Sequence, residues 1–226
     1  DDGTYQEYMV LDRKQLHPYD SSLKPEEAVA AEPYTIGAQA HARAGTSAGD
    51  YVLIHGAGPI GLITCDLAES LGAICIVSEV NEDRLQMAKK FGAAYLINPA
   101  KEDLKERVME ITHNMGANIV FEAAGVPALL QTSIEIASQA GAVIPMAFAA
   151  KPVPISFGDV NKKELLISGT RMECDRFPAV LESFPKRRDR LKSLVTHRFP
   201  LTEYQKAFET FTDKSSGACK VIMTFE

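Results

Sequence analysis

The chain has 226 residues, 46% of them hydrophobic and 24% charged, enough for one packed domain and part of a second. Its formal net charge of -6 excludes the basic footprint that nucleic acid or an anionic membrane surface requires. No apolar run approaches the ~20 residues of a bilayer span. Asp1 to Glu7 lacks the basic leader and apolar stretch of a secretory signal.

Cys65, Cys75, Cys174 and Cys219 are widely spaced with no C-x-x-C, and the chain is too long and too cysteine-poor for a disulfide scaffold, so they read as ordinary thiols in a reducing cytoplasm. The short basic run Lys186 to Arg190 reads as a solvated helix end or loop.

Taken in chain order, Tyr5 to Val10 is a strand candidate, followed by a proline-bearing loop and a short helix over Pro25 to Ala31. Tyr51 to His55 predicts a strand, and a helix over Leu62 to Leu71 ends at Gly72, a residue suited to the left-handed turn past a helix. Ala73 to Glu79 is apolar on both faces, as a buried parallel strand is. Asn81 caps the next helix, with Glu82 and Asp83 at its positive end and Lys89 and Lys90 at its negative end.

The alternation continues. Strands are expected at Tyr95 to Asn98, Ala117 to Glu122, Ala142 to Phe148 and Glu164 to Ser168. Helices are expected at Leu104 to Asn114 and Ala128 to Ser138. Alternating strands and helices predict an α/β fold with a doubly wound parallel sheet. Residues 1–32 and 172–226 read as two remnants of one further domain, with the nucleotide-type domain at 33–171 set between them.

One motif carries chemistry. Gly56, Gly58 and Gly61 form a G-x-G-x-x-G set with a strand before it and a helix after it. Gly56 serves the tight turn, Gly58 the close approach of a pyrophosphate and Gly61 the packing of helix on strand. A helix N-terminus there favours an anion. Glu79, 23 residues after Gly56, stands where a carboxylate accepts hydrogen bonds from ribose hydroxyls and repels a 2′-phosphate, so NAD is expected over NADP. Arg84 is placed to meet a phosphate or pack on adenine.

Asp50 to Gly61 resembles the nucleotide motif of the zinc-type medium-chain dehydrogenase/reductase family. Gly3-Thr4-Tyr5-Gln6-Glu7-Tyr8, Pro25 to Ala28 followed by Glu32-Pro33, and Val195 to Leu201 with Ala207-Phe208-Glu209 resemble further stretches of that family. Within it, the chain is similar to the sorbitol, L-idonate and L-galactonate dehydrogenase branch and to bacterial starvation-sensing dehydrogenase-like proteins, which share a run like Phe177-Pro178-Ala179-Val180.

The resemblance implies a Rossmann domain inserted into a mostly-β, GroES-like catalytic domain whose N-terminal part is expected to lie outside this chain. It implies NAD and a catalytic zinc whose Cys and His-Glu ligands are expected in that part, with Glu32 approaching the metal. It implies that Pro59 and Ile60 lie beside the pyrophosphate, that Met146, Ala147 and Phe148 run past the nicotinamide, and that Arg171 touches the cofactor. Gln39 stands where the family often has a histidine. The catalytic residues proper are left open, and His55 and His197 read as packed or structural. The activity implied is NAD-dependent oxidation of a secondary alcohol in a polyol or sugar acid by a homodimer or homotetramer, with this chain alone inactive. The alternative is a non-catalytic NAD(H)-binding regulatory protein of the same fold.

Overall fold

The computed structural model describes residues 5–148, 152–172 and 175–225. Gly3 and Thr4 of the N-terminal motif, the preceding Asp1 and Asp2, and Cys174 lie outside the described residues. The chain forms two compact units, Asp1–Glu32 with Phe177–Glu226, and Pro33–Arg176.

In chain order the elements are α1 (Pro25–Ala28), α2 (Ala31–Ala44), β1 (Tyr51–His55), α3 (Pro59–Ser70), β2 (Ile74–Ser78), α4 (Glu82–Lys90), β3 (Tyr95–Ile97), α5 (Leu104–Ile111), β4 (Ala117–Glu122), α6 (Ala128–Ile136) and β5 (Ala137–Pro145). They continue with α7 (Phe157–Lys163), β6 (Leu166–Ile167), α8 (Phe177–Ser183), α9 (Arg188–Leu194), β7 (Val195–Pro200), α10 (Tyr204–Thr212) and β8 (Lys220–Thr224).

The larger unit holds a six-stranded parallel sheet in the order β3-β2-β1-β4-β5-β6. This is the expected doubly wound α/β fold, and the strand order reverses between β1 and β4. Side chains alternate across a strand, so Leu53, Ile76, Ile97, Val120 and Val143 share one face. That face packs with Val108 and Ile111 of α5 and Ile134 and Ile136 of α6 in one buried cluster. α2 lies against α3, where a side chain on Gly37 would meet Ile63 and Leu67 at 3.0 and 2.9 Å.

Several local expectations give way to the tertiary structure. Tyr5 to Val10 is no strand: it is irregular and exposed, and among the described residues no strand pairs with it. A strand without a partner leaves its backbone groups to water. α2 was not expected from the pattern. Its Pro33 falls in the first turn, where the missing N–H breaks no helical bond. α5 stops at Ile111 because His113 and Asn114 take φ of +52° and +64° before Gly116 at +82°. β5 starts at Ala137, directly after α6 and earlier than Ala142, with a register shift against β4. α7 fills the stretch before β6, and its Lys163 Nζ donates to the carbonyls of Ile134, Glu135 and Ala137 at 3.1, 2.6 and 2.8 Å.

The smaller unit is built from α1, α8, α9 and α10 around the parallel pair β7–β8. Its buried residues include Leu23, Val180, Leu181, Phe184, Leu191, Leu194 and Ile222. The larger unit extends to Arg176, past the expected boundary at Arg171; the Arg176 Nε donates to Gln39 Oε1 at 3.0 Å. No helix among the described residues is long and apolar enough to cross a membrane.

Candidate functional site

The carboxyl ends of β1 and β4 flank the point where strand order reverses, and this is where an open α/β sheet leaves a crevice. The glycine turn forms one wall. Gly56 has φ of +93°, a conformation that a side chain resists. A Cβ on Gly61 would sit 2.0 Å from the Gly56 carbonyl oxygen, so helix and turn meet only through glycine. A Cβ on Gly58 would meet nothing within 4 Å, so the turn is open to an approaching group there. Gly58 caps α3 and Pro59 occupies its first turn, where a proline costs no hydrogen bond. The backbone N–H groups of Ile60 and Gly61 belong to that first turn, which lacks intrahelical acceptors.

Glu79 follows β2 and reaches back to this turn. Its Oε2 accepts from Ala57 N at 3.0 Å and its Oε1 from Asn81 N at 3.0 Å. Each carboxylate oxygen has two lone pairs, so each keeps one for a further donor. Asn81 caps α4 as expected, its Oδ1 accepting from Arg84 N at 3.1 Å. The Arg84 side chain is half-buried in the first turn of α4.

The opposite wall is a loop that the motif did not reveal. Glu122 ends β4 and is buried, and its Oε1 accepts from the amides of Ala124, Gly125 and Val126 at 3.0, 2.8 and 3.3 Å. A Cβ on Gly56 would lie 3.1 Å from the Ala124 Cα, and one on Gly125 would lie 3.5 Å from the Ala147 Cβ. The loop therefore bridges the glycine turn and the end of β5. A glutamate closing an apolar strand, followed within three residues by Gly125, was the available signal. A carboxylate there gathers turn amides as an N-cap does.

Met146 N donates to the Glu122 carbonyl at 2.9 Å, and Thr64 Oγ1 lies 3.8 Å from the Met146 Sδ. Ala147 is half-buried and Phe148 is 80% exposed, with the Arg171 guanidinium 5.6 Å from its ring centroid. Gly56, Gly58, Gly61, Glu79 and Ala147 thus come together around one crevice rim, and Phe148 and Arg171 pair at the neighbouring ends of β5 and β6.

Other candidates fall elsewhere. Glu32 is exposed in the first turn of α2. Among the described residues no three His, Cys, Asp or Glu side chains converge as a metal site, so the residues described do not by themselves fit a zinc ion. His41 is buried, with Nδ1 2.8 Å from Thr46 Oγ1 and Nε2 2.9 Å from the Thr64 carbonyl. That carbonyl only accepts, so Nε2 carries the proton. His55 is fully buried, neither ring nitrogen has a hydrogen-bond partner among the described residues, and it shares a sheet face and row with Ser78 and Glu122. Burial pushes both histidines down to about 4. His17 stacks on Phe177 at 4.8 Å, and His197 Nδ1 lies 3.0 Å from Thr196 Oγ1. Cys65, Cys75 and Cys219 are buried.

Comparison with known proteins bears on the same residues. A family model described as zinc-binding dehydrogenase matches residues 59–186. The sorbitol dehydrogenase of Halalkalibacterium halodurans is 30% identical over 228 residues, covering 99% of this chain and 66% of that protein. The starvation-sensing protein RspB of Escherichia coli K12 is 29% identical over 226 residues, with the same coverage of 99% and 66%. A crystal structure described as a short chain alcohol dehydrogenase (rspB) from E. coli CFT073, complexed with NADH, superposes with a TM-score of 0.88 at 28% identity, covering 94% of this chain and 63% of that one. The chain spans between 60% and 66% of the length of these and other curated dehydrogenase relatives.

Proposed function

The chain belongs to the zinc-binding dehydrogenase family, in its medium-chain sorbitol and polyol branch, and on that premise we propose that it holds NAD for the oxidation of a secondary alcohol in a polyol or sugar acid. The observation that carries this reading is the Glu79 carboxylate, which grips the glycine turn through Ala57 and keeps lone pairs for ribose hydroxyls.

In this reading Gly56, Gly58, Pro59, Ile60 and Gly61 hold the pyrophosphate, Glu79 the adenosine ribose and Arg84 the adenine edge. Met146, Ala147, Phe148 and Arg171 flank the nicotinamide. When bound, the cofactor supplies the hydride acceptor; the chain's residues bind and orient it. Glu32 is proposed as one member of a zinc set that the described residues do not complete, so this chain alone is expected to bind cofactor and not to turn over alcohol.

Titration of the protein with NADH and NADPH tests the cofactor reading. NADH is expected to bind at least tenfold more tightly, since a 2′-phosphate would meet the Glu79 charge. Equal binding of the two, or no binding, would overturn it. A non-catalytic, NAD(H)-sensing role is the second reading, favoured by the similarity to the starvation-sensing protein. NADH binding by a zinc-loaded longer form, with no turnover across a panel of polyols and aldonates, would select it.

The exposed edge strand β6, with Leu166 half exposed, supports pairing of two copies across a two-fold axis as a homodimer or as half of a homotetramer. The scarcity and wide spacing of the four cysteines support a reducing, cytoplasmic setting.

A further inference from the structure

The β4–α6 loop differs in polarity from the glycine turn opposite it. In a trans peptide unit the N–H and the preceding carbonyl point in opposite directions. With the amides of Ala124, Gly125 and Val126 turned in to Glu122, the carbonyls of Ala123, Ala124 and Gly125 turn out. Among the described residues none donates to those carbonyls, and Ala124 and Gly125 are exposed. The glycine turn offers N–H donors, which suit an anion; the loop offers acceptors, which repel an anion and suit hydroxyl groups.

The order along the sheet edge is also informative. Glu79 stands at the end of β2, the glycine turn at β1, this loop at β4 and Ala147 at β5. A dinucleotide laid across these ends, with its pyrophosphate on β1, puts its second ribose over β4.

We propose that Glu122 is a positioning residue for the ribose diol at the nicotinamide end of the dinucleotide. By drawing three amides inward it sets the facing carbonyls as acceptors for the two hydroxyls. This rests on the dinucleotide reading of the crevice and assigns a side chain outside the glycine motif to it. Burial makes the device rigid, because water does not compete for the inward amides, and a charged acceptor strengthens each bond.

The test compares NADH with ADP, which lacks the second ribose, on the 226-residue chain. In the wild type NADH should bind more tightly than ADP. Glu122→Ala should weaken NADH by about tenfold while leaving ADP within about twofold, since the lost acceptors face only the nicotinamide half. Glu122→Gln keeps a neutral acceptor in place and should lose less.

Should Glu122→Ala fail to fold, Glu122→Gln with amide hydrogen exchange decides. Exchange at residues 124–126 should accelerate and the NADH-to-ADP affinity ratio should fall. Parallel weakening of NADH and ADP, or no change in either, would overturn the positioning role while leaving the dinucleotide reading intact. Wild-type protein that binds neither ligand would overturn both.

Discussion

His55 gives the sharpest prediction about stability. Its ring is fully buried on β1, both nitrogens lack partners among the described residues, and burial lowers it from 6.5 to about 4. His41, also buried, is lowered by the same cause to about 4, partly countered by its bond to the Thr64 carbonyl. A lowered base stays neutral in the folded state while the unfolded chain takes up a proton. Stability is therefore full above the unfolded value of 6.5 and is lost as pH falls from there towards about 4.

The full loss is about 3 kcal/mol for each ring, and between about pH 7 and about pH 5 it is about 2 kcal/mol each. Both rings lie in the larger unit, so its unfolding should weaken by about 4 kcal/mol over that range from these two groups. The chain has no tryptophan, so urea unfolding is best followed by circular dichroism at the two pH values.

His55→Leu should lose about 2 kcal/mol less than the wild type between them, the carboxylates cancelling in the difference. At neutral pH the variant should be as stable as the wild type or up to about 2 kcal/mol more so, because two unsatisfied buried nitrogens are gone. A variant that loses as much stability as the wild type on acidification would refute the reasoning.

Three further outcomes are expected. Gly61→Ala drives a methyl to 2.0 Å from the Gly56 oxygen; it should cost about 2–3 kcal/mol in thermal unfolding and weaken NADH binding more than tenfold by titration. Glu79→Arg should reverse the NADH-to-NADPH preference in the same titration, by about tenfold or more, since a guanidinium replaces the repelling charge with a phosphate partner. Lys163→Met leaves the carbonyls of Ile134, Glu135 and Ala137 without their shared donor and should cost about 1–3 kcal/mol, read from the shift in urea midpoint.

The residues legible from sequence share a property: their role is written in local backbone chemistry. Gly56 and Gly61 announce a turn that no side chain fits, and Asn81 announces a cap. Buried parallel strands announce themselves by apolar runs. Those requirements act within a few residues, so spacing alone displays them and the α/β fold follows from their alternation. Met146 to Phe148 and Arg171 are proposed as cofactor neighbours only on the family resemblance, because no local pattern marks them.

Other features depended on contacts between residues far apart in the chain. Tyr5 to Val10 has strand-like residues, but a strand exists only with a partner. α2 owes its place to packing on α3, through the gap that Gly37 leaves. Glu122 reads in sequence as the polar end of a strand. Only the folded chain turns the 124–126 amides back onto it and sets that loop between Gly56 and Ala147. His55 likewise reads as one more strand residue; burial within the sheet is what strips its ring of water and makes it sensitive to acid. Backbone requirements act locally and so show in spacing, whereas burial and convergence depend on the whole chain being folded.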